Sequence, residues 1–191
     1  SERAVVVDLT LWFRNPMWPH RDHAAQALDM LLGPLLLRSD VLKLGFQFSQ
    51  DVAMLRRSFP SVSSFQALSH LLLDARGFAD IQDMAAVAVG GGGGRGGGKG
   101  ENIIGLSRAC ELFLGAKLRK DAQTSHWGVR PLTEEQLRYA ATDAAVLVHL
   151  YQRMGAGAAE KARERRLAEA ARKRSTGCAL GRAKRGRRRG G

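Results

Sequence analysis

Short runs of β-branched residues alternate along the chain with longer stretches whose apolar positions fall at helical spacing. Residues 3–9, Arg-Ala-Val-Val-Val-Asp-Leu, predict a buried strand. Residues 10–23 hold two prolines and two tryptophans and read as a loop. Residues 24–39 have helical spacing, interrupted by Gly33-Pro34, and residues 40–49 return to strand character with Val41, Leu44, Phe46 and Phe48 apolar. Residues 50–60 predict a helix stopped by Pro60. Residues 63–89 read as helix, strand, helix, and helical patterning resumes over 104–115. After a loop at 116–131 comes a long helix over 132–154, opened by Thr133-Glu-Glu-Gln136, a capping-box arrangement. Residues 155–174 extend a solvated helix, and the sequence beyond Ser175 predicts disorder. No internal repeat occurs.

One position in the long helix resists a packing explanation. Asp143 sits among alanines, valines and leucines, four residues after Tyr139, so both side chains share one helix face. An unpaired carboxylate on a buried face is costly, so it either reaches water or meets a cation. Taken alone, the pair favours a simple tyrosine–aspartate contact or a solvent-facing aspartate.

Charge separates the chain into two regions. The formal net charge is +12, and residues 155–191 carry thirteen Lys/Arg against three Glu. Residues 1–154 are therefore nearly neutral, while the tail is polycationic and suits phosphate backbones. Two basic clusters, 171–175 and 182–189, also suit a nuclear address. Cys110 and Cys178 lie far apart with no disulfide or zinc spacing, which suits a reducing, intracellular compartment, and Cys110 reads as a core thiol. No apolar run is long enough to cross a membrane.

Two other motifs carry less than they suggest. Gly93 to Lys99 spells G-x-x-x-x-G-K, but Gly100 stands where a phosphate loop needs Ser or Thr, inside a glycine-rich insertion at 90–100. His20 and His23 are three apart with no second ligand pair, in a Pro- and Trp-rich segment that reads as a surface loop.

Residues 43–60, Lys-Leu-Gly-Phe-Gln-Phe-Ser-Gln-Asp and onward, and residues 109–151 together resemble the ribonuclease D and Werner-type 3′–5′ exonucleases. These are the tyrosine-containing branch of the DEDD exonucleases, and the mutator-seven-like members are similar to this chain from about Val5 to Met154. The most specific block is Tyr139-Ala-Ala-Thr-Asp143, preceded by Trp127, Arg130-Pro131-Leu132 and Glu135-Gln136-Leu137. A modest departure is Ser125-His126-Trp127, where the family usually has Ser-Asp-Trp.

The resemblance implies an α/β, ribonuclease-H-like fold over residues 1–154, followed by a disordered or helical basic tail over 155–191. It implies a nucleic-acid 3′ end as substrate, DNA or RNA, and two magnesium or manganese ions about 4 Å apart. Asp143 and Asp51 would be metal ligands, and Tyr139 would orient the attacking water. The family's first motif, Asp-x-Glu, is absent from the chain. Asp8 is followed by Leu9-Thr10 and, at 43 residues before Asp51, suits the end of the family's third strand, so it is not a catalytic ligand on this reading. Residues 3–9 and 40–49 would then be the third and fourth strands, with the first two missing, as in an N-terminally truncated product of weak or no activity.

Overall fold

The computed structural model describes residues 4–17, 20–74, 77–90, 104–119 and 121–186, with side chains described outside 69–74 and 173–186. The Gly93–Lys99 motif and the last five residues lie outside this set. The elements follow the order α1 (Leu9–Arg14), α2 (Arg21–Leu36), β1 (Lys43–Gly45), α3 (Phe48–Ser58), α4 (Ser63–Asp74), β2 (Phe78–Asp80), α5 (Ile81–Ala88), α6 (Leu106–Leu114), α7 (Glu134–Met154) and α8 (Ala156–Gly186). The two strands pair in parallel, with Lys43 opposite Phe78, Leu44 opposite Ala79 and Gly45 opposite Asp80.

Two apolar clusters flank this small sheet. One joins α2, α3 and α4 through Ala25, Leu28, Val52, Val62, Phe65 and Leu68. The other joins β2, α5, α6, α7 and α8 through Ile81, Met84, Cys110, Val146, Leu150 and Ala162. Phe48, at the start of α3, stacks on Phe78 of β2 at 5.1 Å and ties the two sides together. The turn from β1 into α3 is tight enough to demand glycine at 45, where a Cβ would lie 2.6 Å from that of Phe48.

Four expectations are corrected. Residues 4–8 form no strand, and Val5 is 86% exposed, because no neighbouring strand satisfies their backbone. Only Val7 of the valine run packs, against the α2–α4 cluster. Residues 10–23 are not all loop: Asp8 caps α1, accepting from the Leu11 N–H at 3.0 Å, and Trp12 and Phe13 pack inward. Gly33-Pro34 does not interrupt α2, which runs on to Leu36 while Gly33 is buried. Residues 175–186 continue α8 instead of being disordered.

The start of α8 is also less solvated than its charge suggests. Ala162 is buried in the second cluster, and Arg166 donates to Asp83 of α5 at 2.5 and 3.1 Å. The same guanidinium sits 5.8 Å from the centre of the Phe78 ring. This contact adds a cation–π attraction to the ion pair.

Candidate active site on helix α7

The long helix places its two polar residues by a well-made N-terminus. Thr133 accepts from the Gln136 N–H at 3.2 Å, and the Gln136 side chain accepts from the Thr133 N–H at 2.9 Å. Gln136 is buried, and its amide also donates to Ser125 Oγ at 3.0 Å, which fastens the preceding loop to the helix. Tyr139 and Asp143 follow one turn apart on the same face, both half-buried.

The two groups influence each other's ionisation. Burial raises the Asp143 carboxyl above its ordinary value, and the hydrogen bond from Tyr139 offsets only part of that. The Tyr139 phenol is raised by burial and then by the Asp143 charge and the bond to it. Cys110 on α6 is raised by burial and also feels the Asp143 charge, so it lies near that carboxylate. The Trp127 ring lies 6.0 Å from that of Tyr139, tilted by 56°.

Asp51 stands in the first turn of α3, solvent-facing, yet raised by partial desolvation. No cationic side chain contributes to the shift of Asp51 or of Asp143. Helix α3 owes its start to a residue far away in sequence. Its N-cap, Gln47, is left-handed at φ 55° and offers no side-chain cap. The Asp80 carboxylate substitutes, accepting from the N–H groups of Gln47 and Phe48 at 3.2 and 3.3 Å, while it also caps α5 through Gln82 at 3.0 Å. Asp80 is 7% exposed, and burial followed by the Asp83 charge raises its pKa. Asp29 does the same for α4: burial would raise it, but the N–H groups of Ser63 and Ser64, each at 2.8 Å, outweigh that and lower it. Sequence reading missed both. The strand-to-helix step at Asp80-Ile81 was the available signal for a cap.

The structure thus brings Tyr139 and Asp143 together and leaves Asp51 on a separate helix with no contact to either among the described interactions. Asp8 is bound elsewhere, to Arg130. His20 and His23 lie 5.6 Å apart at the start of α2 without further ligands. A cleft of about 510 Å³ opens between α3, the β2–α5 junction and α8, lined by Gln47, Gln50, Arg56, Asp80, Gln82 and Arg166 among others. Neither Asp51 nor Asp143 lines it. Its own carboxylates are Asp80, which caps α3 and α5, and Asp83, which pairs with Arg166.

A family model described as 3′–5′ exonuclease matches residues 18–157. The chain belongs to the 3′–5′ exonuclease family. The likeness to its mutator-seven-like members read from Tyr139 to Asp143 therefore holds. The exonuclease mut-7 homolog of Aedes aegypti is 37% identical over 117 residues, 60% of this chain and 15% of that protein. The human exonuclease mut-7 homolog is 32% identical over 135 residues, 70% of this chain and 15% of that protein. The Drosophila melanogaster homolog is 34% identical over 122 residues, 63% of this chain and 19% of that protein. The chain spans less than a fifth of the length of these curated relatives. A crystal structure of the Aedes aegypti Nibbler EXO domain superposes with a TM-score of 0.50 at 27% identity, covering 75% of this chain and 61% of that one.

An exonuclease domain implies a nucleic-acid substrate, and exonucleases of this family generally use divalent metal ions. Asp51 and Asp143, desolvated carboxylates without cationic neighbours, have the right donor chemistry. Among the described residues, however, no three His, Cys, Asp or Glu side chains come together to hold an ion. Two carboxylates on separate helices do not make a two-ion centre. No described helix is long and apolar enough to cross a membrane.

Proposed function

We propose that this chain carries part of the active site of a metal-dependent 3′–5′ exonuclease domain that shortens DNA or RNA from its 3′ end. The observation that carries this reading is the Tyr139–Asp143 pair: a phenol and a carboxylate one turn apart on one half-buried face of α7, with the carboxyl raised by burial. On this reading Asp143 and Asp51 are acidic ligands for magnesium or manganese, and Tyr139 orients the attacking water through its hydroxyl. The Asp-x-Glu carboxylates are absent from the 191 residues, so the isolated chain is weak or inactive. Residues 1–154 are then an incomplete ribonuclease-H-like domain lacking two strands, with residues 155–191 as a basic tail. Among the described residues, the sheet has two strands and no three-ligand group is found, and both support that view.

A 5′-labelled single strand, as DNA and as RNA, incubated with the chain and Mg²⁺ or Mn²⁺ tests the proposal. The expected result is no product or a slow ladder of 3′-shortened strands, abolished by EDTA and by Asp143→Ala. Robust cleavage that survives Asp143→Ala overturns the assignment.

A second reading is non-catalytic nucleic-acid binding through residues 160–189, favoured by one observation: the tail at 155–191 holds thirteen Lys/Arg against three Glu. Such binding should fall steeply as salt rises.

A further inference from the structure

We infer that Arg130 is a positioning residue for Tyr139, acting through Trp127, and that Asp8 holds Arg130 in place. The inference rests on the proposed role of Tyr139, and its geometry is independent of any activity. Residues 121–132 form no regular element, yet they present the Trp127 ring to Tyr139 in a defined pose. Side-chain bonds supply the order that backbone pairing does not.

Arg130 carries most of them. Its Nε and Nη2 grip both oxygens of the Asp8 carboxylate, the second at 3.0 Å, and its Nη1 donates to the carbonyls of Trp127 at 2.6 Å and Val129 at 2.9 Å. The two side chains are only 20% and 17% exposed, so water competes little for the fork. The guanidinium thereby fixes the main chain of Trp127, while the indole N–H is fixed by the Ala122 carbonyl at 3.1 Å. A ring held at both ends is a rigid wall for its neighbour. Tyr139 has that ring 6.0 Å away, and its phenol also feels the Asp143 carboxylate, so the pose of Trp127 bears on how the hydroxyl is presented.

Asp8 makes this arrangement unexpected. It lies 122 residues from Arg130 and outside the family-matched span of 18–157. A segment before the matched region therefore sets the geometry of a residue at its heart. Lysine cannot replace arginine here, because three donors on one nitrogen cannot span two carboxylate oxygens and two carbonyls as the flat guanidinium does.

The chain has only two tyrosines, so aromatic NMR of protein labelled with ring-¹³C tyrosine reads Tyr139 directly, with Tyr151 as internal reference. Arg130→Lys is expected to shift the Tyr139 ring signals several-fold more than those of Tyr151, and Asp8→Asn to shift them in the same direction. In Trp127→Leu the Tyr139 signals should also move, and adding Arg130→Lys should then move them no further. Tyr139 signals unchanged in folded Arg130→Lys and Asp8→Asn, or moving in step with Tyr151, would overturn the inference. So would a full additional shift on the Trp127→Leu background. Should Arg130→Lys fail to fold, the Asp8→Asn spectrum decides alone. Loss of nuclease activity plays no part in the readout, so failure of the exonuclease reading is a separate result.

Discussion

At the scale of single residues, Asp143 and Asp8 show opposite responses to burial. Burial without a cation raises Asp143, so its ionised form weighs against folding above its folded pKa, and this penalty fades as pH falls through that value toward the unfolded one. Asp143→Asn should therefore melt higher than the parent at pH 7 while losing whatever cleavage the chain has. A gain of one kcal/mol would appear as about 2–4 °C in a chain of this size. A thermal melt beside the strand-shortening assay checks both halves, and a lower melting point would contradict the account. Asp8 is lowered first by the hydrogen bond from Arg130, so its contribution is present above the unfolded carboxylate pKa and lost as pH falls through the folded value. Arg130→Met should cost about 2 kcal/mol at pH 7, typical for hydrogen bonds to a charged group. Urea melts at pH 7 and pH 3 should show that difference shrinking in acid. Asp143 was legible in sequence because a carboxylate in an apolar helix is locally anomalous. The partner of Asp8 was not, since nothing local links it to Arg130.

At the scale of elements, helix starts divide into those written locally and those supplied from elsewhere. Thr133 to Gln136 states its capping box in four consecutive residues, and the sequence announces it. Helices α3 and α4 take their caps from Asp80 and Asp29, 32 and 34 residues along the chain from the nearest N–H group they serve at those helix starts. No periodicity reveals such a bond, and this is why the start of α3, whose first turn carries Asp51, was only half legible. Thr133→Ala should cost about 1 kcal/mol, the usual loss for such a cap. Asp80→Asn should cost more, about 3 kcal/mol, because one amide oxygen must serve N–H groups at two helix starts inside the fold. Chemical denaturation of the two variants side by side tests the ranking, and equal losses would contradict it. The valine run at 5–7 misled for a related reason: β-branched residues favour a strand only when another strand is there to receive it.

At the scale of the whole molecule, the charge boundary and the packing boundary do not coincide. The basic region begins at 155 by composition, yet Ala162 and Arg166 belong to the packed body. Truncation after residue 154 should lower the melting point, because it strips the second cluster of Ala162 and leaves Asp83 without its guanidinium. Truncation after residue 170 should leave the melting point near the parent value. It should also reduce affinity for a labelled single strand and flatten the dependence of that affinity on salt. Calorimetry and fluorescence anisotropy on the two truncations check this, and equal melting points would refute the assigned boundary.

The two-stranded sheet has a practical outcome for anyone handling the protein. Among the described residues, Lys43 to Gly45 pair with β2 and with no other strand, so one row of peptide groups has no strand to pair with. A bare margin of this kind invites recruitment of an extended segment from a second molecule, and concentrated solutions should cloud sooner than the net charge of +12 would suggest.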